Sequence, residues 1–468
     1  TTEIYTLSLH DALPISLRLA WAHYDVIQPG ERWESGEYWF TAHEAGWAKG
    51  LEAFRQWISE NQKRSHPLPK HVAEGLGYRT AWMCKNYPAD PEDVVWSFAD
   101  LPKLTEECVE CGLTELIMWG AYPSFVLPFP GPFEHLGTPE ELQAAVEDAR
   151  EQGVWIAPFV SVIQADQQTA PRYGLEVTPN TGNWTYHPEM MPRFTPPYGS
   201  KLSCVQVDIN NPLWQADVME MGKRLLARGI TSLGWDQLWT AVNGKPNMVE
   251  LAKRLRDQAT AVDPEAAICS EELWNFEVDS DYLDYTWNWN NPGDGDALHA
   301  MFEAPRVSWN INDDLMQTMN CFASGTYMNI WPRQPGEING ADWISEHPDL
   351  YRALKQSAKL RKQFLSYYTE GRFVAECLQT SKFAPGYVGG HLKDDAALIV
   401  VVNYGGPQGL KLALDMGPWL ASASGKYQVT EYDFKGNQVA ASEVSAAFDY
   451  TTQPVQWLEV ALVEIKPL

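Results

Sequence analysis

From about Gly75 the chain alternates between short apolar runs and longer amphipathic stretches. The runs are YRTAWM (78–83), LTELIMWG (113–120), VWIAPFVSV (154–162), ITSLGWDQ (230–237), AAICSEELW (266–274), YLDYTWNW (282–289), PRVSWNI (305–311) and TYMNIWP (326–332). Short apolar runs bounded by turn residues predict buried strands. Between them apolar residues recur at helical spacing, as in TPEELQAAVEDAREQG and NPLWQADVMEMGKRLLARG. In the first of these Thr138 fits an N-cap, Pro139 the first helical position and Gly153 the stop. Eight strand–helix units over about 260 to 300 residues predict an α/β fold, a closed (β/α)8 TIM barrel. An open doubly wound sheet is the competitor, but no glycine-rich phosphate loop follows the first strand.

The flanks follow other rhythms. AALIVVVNYGG, LKLALDMG, YQVTEYDFKGN and VQWLEVALVEIKP are strands at short spacing with turn residues between them, which predicts a C-terminal β-sandwich over 373–468. Upstream of it, HPDLYRALKQSAKLRKQFLSYYTEGRF predicts a long closing helix. On the N-terminal side, LRLAWAHYDVIQPGERWESGEYWFTAH predicts two strands about a turn, and GWAKGLEAFRQWISENQ a linker helix. Two strands alone are marginal in water, so 16–72 is expected to be a truncated N-terminal β-domain remnant leading into a barrel at 73–372. The opening TTEIYTLSLHDALPI, read back into codons, reproduces an adapter oligonucleotide used in short-read sequencing. Residues 1–15 are therefore expected to be non-native and to contribute nothing to the fold.

Composition narrows the function. A formal charge of −26 argues against a nucleic-acid partner, because such binding depends on Lys and Arg displacing counterions. No run reaches the roughly 18 apolar residues of a membrane helix. Seven cysteines are an odd set in a long chain, so no disulfide framework is expected. Cys108 and Cys111 lie in a helical pattern and are expected to pack on its face. The 21 tryptophans are an unusually large share. More than half should be core, yet Trp also suits sugars, offering a flat apolar face and one polar N–H.

Reacting groups in such barrels gather at the C-terminal ends of the strands. The fourth predicted strand ends in Asp236, and the fifth in Glu271 and Glu272. Neighbouring strands would bring these carboxyls over one spot. Glycoside hydrolysis needs such a pair, one to attack or stabilise the anomeric carbon and one to protonate the leaving oxygen.

These residues carry a resemblance. VQVDINNPLWQADVMEMGKRLLARGITSLGWDQLW resembles the segment leading to the nucleophile of α-amylase and α-galactosidase type barrels, and ICSEELW resembles the fifth-strand glutamate segment of the amylase superfamily. The layout of β-domain remnant, linker helix, barrel, closing helix and sandwich is similar to barrel glycosidases with an N-terminal supersandwich. The resemblance implies glycoside hydrolase activity on an oligo- or polysaccharide, with retention of configuration and no cofactor. It places Asp236 as nucleophile. Glu271 takes the acid/base position by the I-C-S-E register and Glu272 by the E-x-W register. Only one can face the axis, and Glu271 is preferred. At the seventh strand, where amylases carry His-Asp, this chain has WNINDD, so Asp313 is either a third carboxylate or a helix cap. Asp281 and Asp284 lie near the sixth strand, and Asp208 and Asn210 are expected to shape a loop.

Trp82, Trp119, Trp235, Trp239, Trp274, Trp287, Trp289 and Trp331 stand near predicted strand ends and could stack on sugar, while Arg79 and Asn290 could bond hydroxyls. The long segment from about Gln164 to Ser203 is rich in Pro, Gly and aromatics and contains His187; loops of that length tend to form rims or lids. Two other readings stay open. A carbohydrate-binding barrel without chemistry would keep the groove. A metal-dependent hydrolase lacks support, because the His residues form no HxH pair or close ligand cluster.

Overall fold

The computed structural model describes the chain except residues 1–28, 31, 33, 35–45, 62–63, 65, 85–93, 124–127, 130, 162–163, 167–168, 177–183, 186–202, 209, 237, 239–246, 272–280, 288–294, 305, 334–341 and 382–384. All eight predicted runs contain a strand: β1 Gly77–Trp82, β2 Leu113–Trp119, β3 Trp155–Ser161, β4 Ser232–Asp236, β5 Ala267–Glu271, β6 Tyr285–Trp287, β7 Ser308–Ile311 and β8 Tyr327–Ile330. Their order in the sheet is β7-β8-β1-β2-β3-β4-β5-β6, with parallel pairing throughout. A parallel bridge between Tyr285 and Arg306 brings the two ends together and nearly closes the barrel.

Helices α1 Leu101–Cys111, α2 Pro139–Glu151, α3 Pro212–Leu226, α4 Asn247–Val262, α5 Gly295–Met301, α6 Leu315–Ser324 and α7 Pro348–Gln363 follow the strands. No helix is described between β5 and β6. The start of α2 is a capping box. Glu141 N–H donates to Thr138 Oγ1 at 3.2 Å, and Thr138 N–H donates to Glu141 Oε2 at 2.7 Å, which satisfies two of the orphan donors of a helix start. Asn211 caps α3 by accepting from Leu213 and Trp214 N–H. Among the described residues no helix is long and apolar enough to cross a membrane.

Alternation along the strands sorts the side chains into two layers. Tyr78, Ile117, Ala157, Phe159, Ala267, Cys269, Tyr285, Trp287 and Tyr327 fill the barrel interior. Ala81, Leu116, Ile156, Val160, Leu233, Trp235, Ile268, Met328 and Ile330 face outward, beneath the helices. The rings of Tyr78, Tyr285 and Tyr327 stand 5.3 to 5.5 Å apart and close the interior toward its base. A short helix, Lys70–Glu74, lies below them. Its His71 Nε2 is 2.8 Å from Glu115 Oε1, which also accepts from Ser232 Oγ at 2.9 Å. Cys108 and Cys111 are buried free thiols on α1.

The C-terminal strands are β9 Gly386–Lys393, β10 Ala396–Asn403, β11 Lys411–Asp415, β12 Lys426–Tyr432, β13 Gln438–Ser445, β14 Ala447–Thr451 and β15 Val460–Pro467. Arg372–Phe373, β9, β10, β15, β12 and β13 form one antiparallel sheet, faced by a ribbon of β11 and β14. The uninterrupted apolar run of β10 has a direct cause. Ala397, Ile399 and Val401 face the ribbon, while Leu398, Val400 and Val402 join the barrel's outer core. A strand buried on both faces has no polar side to show.

Two helical predictions differ in detail. The linker is two helical pieces, Trp47–Gly50 and Glu52–Asn61, separated at Leu51. The second is pinned from outside by Phe54 against Phe302 and by Arg55 donating to Ala300 O at 3.2 Å. The closing helix stops at Gln363, because Phe364 leaves the helical region (φ −112°, ψ 23°), and restarts over Leu365–Thr369.

Candidate active site

The mouth of the barrel is assembled from the last inward position of each strand. Glu115, Ile117 and Trp119 share the inner face of β2, as do Phe159 and Ser161 on β3, Ser232, Gly234 and Asp236 on β4, and Cys269 and Glu271 on β5. Asp236 pairs in register with Ser161, and Glu271 with Trp287. Gly234 lies one inner step below Asp236. A Cβ there would stand 2.5 Å from Pro158 O, so the absent side chain is what lets β3 and β4 approach this closely.

The two strand-end carboxyls meet. Asp236 lies beside the Glu271 carboxyl on one side and, in register across β3, beside Ser161 on the other, whose Oγ is buried and closes no hydrogen bond among the described residues. Burial pushes the Asp236 carboxyl above its ordinary value, and the neighbouring Glu271 carboxyl and Ser161 hydroxyl pull it partway back. Glu271 and Ser161 are 9% and 2% exposed. A buried and a half-buried carboxyl side by side cannot both hold a negative charge cheaply, so the pair retains a proton more readily than either alone.

Opposite these groups three indoles pack together, Trp82 and Trp331 each 3% exposed and Trp119 half-buried. The Trp82 ring lies 3.7 Å from that of Trp119 and is stacked 5.2 Å from that of Trp331. The Arg333 guanidinium covers Trp331 at 4.8 Å. One side of the mouth (β8, β1, β2) is therefore indole, and the other (β3, β4, β5) is carboxyl and hydroxyl.

Other expected residues take structural positions. Arg79 and Trp235 fall on the outer faces of β1 and β4, not in the mouth. Arg79 is fully buried, donates to Thr80 O and Asp342 O at 3.0 and 2.6 Å, and lies 3.8 Å from Glu107. Trp235 is buried against α3, its ring 4.0 Å from where a Gly222 Cβ would stand. Trp287 faces inward but is fully buried. Its Nε1–H donates to Thr80 Oγ1 at 3.2 Å and its ring packs 4.8 Å from Phe159, so it is the floor of the mouth and not an open platform.

Asp313 is exposed beside Arg333, and the cap of α6 is Asp314, which accepts from Gln317 N–H at 3.0 Å. Asp284 is buried between Arg64 and Arg256 and accepts from Ile268 N–H, while Asp281 pairs with Lys253 at 2.9 Å. Asp208 accepts from Asn210 N–H at 3.0 Å and shapes the turn before α3, as expected. Glu272, His187, Trp239, Trp274, Trp289 and Asn290 lie outside the described residues. Among the described residues no three His, Cys, Asp or Glu side chains gather as metal ligands.

Ser161 and the His71–Glu115 pair were missed in the sequence. Ser161 is the last residue of β3 and the last but one of the third predicted run, at an inward position, and that parity was the signal available for it.

No protein-family model and no curated protein matches the chain. Solved structures do share its fold. The α-amylase of Geobacillus thermoleovorans, solved with acarbose, superposes with a TM-score of 0.58 at 11% identity over 84% of this chain and 99% of its own. A maltogenic α-amylase of Thermotoga neapolitana gives 0.59 at 12% identity over 85% and 100%. A debranching enzyme of Nostoc punctiforme gives 0.57 at 10% identity over 86% and 100%. The chain thus has the fold of α-amylase-type glycoside hydrolases, a barrel followed by a C-terminal sheet domain.

Proposed function

We propose that this protein is a glycoside hydrolase acting on oligo- or polysaccharide with retention of configuration, Asp236 serving as nucleophile and Glu271 as acid/base. The observation that carries the reading is the meeting of these two carboxyls at the ends of adjacent strands, across the mouth from three packed indoles. The chemistry follows from that layout. A sugar ring lying against Trp119, the half-buried indole of the three, presents its anomeric carbon to the carboxyl side. Asp236 attacks that carbon while protonated Glu271 gives its proton to the leaving oxygen; the deprotonated Glu271 then activates water to release the sugar.

The acarbose complex of the Geobacillus enzyme makes α-glucan oligosaccharides the first substrates to try. The test compares wild-type and Glu271→Gln protein on aryl glycosides with good and poor leaving groups. Loss of the acid should lower kcat/KM for the poor leaving group about a hundredfold and spare kcat/KM for the activated one, since that constant stops at the first step, where a good leaving group needs no proton. Equal losses on both, or saccharide binding without turnover in the wild type, would replace this reading with that of a binding barrel.

A further inference from the structure

Between the carboxyl side of the mouth and its indole side lie polar groups that the proposed chemistry does not use. Thr80 on β1, Trp287 on β6, Asn310 on β7 and Asn329 on β8 occupy inward positions in one tier, beneath Trp82 and Trp331. Three hydrogen bonds join them across the barrel. Trp287 Nε1–H donates to Thr80 Oγ1 at 3.2 Å, the Thr80 hydroxyl bonds Asn329 Oδ1 at 2.6 Å, and Asn329 Nδ2 donates to Asn310 Oδ1. Trp287, Thr80 and Asn329 are buried, whereas Asn310 is half-buried.

The chain of bonds has a direction, and its first donor sets it. An indole N–H can only donate, so Thr80 Oγ1 receives a hydrogen from Trp287 and has its own hydrogen to give. The 2.6 Å contact with Asn329 is the length of an O–H···O bond and too short for an ordinary N–H···O bond, so the Asn329 carbonyl faces Thr80. The Asn329 nitrogen is thereby turned to Asn310. Asn310 must answer with its oxygen, because two amide nitrogens face to face would set donor against donor. Its nitrogen therefore stands on the other side of the carboxamide. The buried members of the tier flank Asn310, so the part of it that solvent reaches is in the mouth. We propose that Asn310 is a substrate-binding residue whose amide N–H donates to a ring hydroxyl of the bound sugar, with Thr80 and Asn329 as positioning residues that hold it donor-outward. The role rests on the glycosidase reading.

A carboxamide left to itself can present either end, and a sugar hydroxyl can meet either. Fixing the amide removes that choice. Turning Asn329 round would break its bonds to Thr80 and Asn310 together, and buried polar groups without partners are costly. The Asn310 nitrogen carries two hydrogens, so a protein neighbour can hold one while a sugar oxygen takes the other.

The experiment measures kcat/KM of wild type, Asn310→Ala, Thr80→Val and Thr80→Ser on an aryl α-glucoside and on each of its monodeoxy derivatives. Comparing enzymes on the same pair of sugars cancels any difference in their intrinsic reactivity. At one ring position, loss of the hydroxyl should cost the wild type about tenfold and cost Asn310→Ala nothing further. Thr80→Val leaves Asn310 in place but lets Asn329 turn, and should shrink that penalty to about threefold. Thr80→Ser keeps the hydroxyl and should restore it in full; this pair carries the comparison if Asn310→Ala does not fold. Penalties that are equal in all four proteins at every position overturn the proposal, as does a neutron structure of the wild type with the Asn310 nitrogen against Asn329. A wild type that binds these glucosides without turnover refutes the proposed function alone, and the same comparison is then read from their Kd values. A wild type that neither turns them over nor binds them refutes both.

Discussion

Replacing Asp236 by Asn should make the protein more stable while abolishing its proposed activity. The physical reason is the raised proton affinity of the buried carboxyl. A carboxyl whose folded pKa lies above its unfolded one costs stability when ionised. The cost is absent below the unfolded value of about 3.8, grows as pH rises toward the folded value, and is constant above it. Each unit of displacement is worth about 1.4 kcal/mol. Asn has the same shape and carries no charge. Its carbonyl can accept from Ser161 and its amide can donate to Glu271, so nothing polar is stranded. The expected gain above the folded pKa is about 1 to 3 kcal/mol, the usual range for a polar group held poorly compensated inside a protein. For a chain of this length the unfolding entropy near the midpoint is about 1 kcal/mol/K, so thermal melting should rise by about 1 to 3 °C at pH 7.5 and match the wild type near pH 3.5. Paired melting curves from pH 3.5 to 8 read this directly. A variant equal to or less stable than the wild type at pH 7.5 would show that Asp236 is not held at a cost, and the case for a poised carboxyl pair would fail with it.

Arg79→Met should lower stability by about 3 kcal/mol or more, because it strands the buried Glu107 carboxylate and Asp342 O, yet leave kcat/KM on an aryl glycoside unchanged. A selective rise in KM would return Arg79 to the mouth. Gly389→Ala would place a Cβ 2.0 Å from Ala323 O and should cost about 2 kcal/mol in denaturant unfolding by wedging β9 away from α6; a neutral variant would mean that this contact yields freely. His391 is buried with Nε2 2.8 Å from Ala323 O, and burial depresses its pKa to about 4. Its folded pKa lies below its unfolded value, so the unfolded chain binds the proton first and stability drains away as pH falls from about 6.5 to about 4, by about 3 kcal/mol in total. His391→Asn should flatten the acid side of the stability profile, whereas an unchanged profile would show that His391 is not protonated on unfolding in that range.

The barrel was legible because its strands are buried on both faces. Such strands read as apolar runs of the right length, and all eight runs contain one. The strand-end carboxylates were legible for a related reason: an ionisable residue at the end of an apolar run, as in SLGWD and AICSE, stands out against its neighbours. Strand β9, GYVGGHLK, was not legible, since its glycines serve close approach to Ala323 O and Ala375 O and leave no apolar pattern. Strands β13 and β14 carry mostly exposed side chains and so lack a buried-face signal. Among the aromatic and basic residues the sequence named the types but not the faces. Arg79 and Trp82 are three residues apart on β1, and that odd separation alone puts one under the helices and the other in the mouth. Parity counted from Asp236 and Glu271, both inward, would have sorted Arg79, Trp235 and Ser161 correctly once the register of β1, β3, β4 and β5 was known. Register is set by long-range packing, for which no local signal exists in a chain of apolar runs. The chemistry at this mouth therefore depends less on which residues the strands carry than on the one-residue phase with which each enters the barrel. A single-residue shift of β4 would bury Asp236 under α3 and turn Trp235 into the cavity without altering the composition of the site.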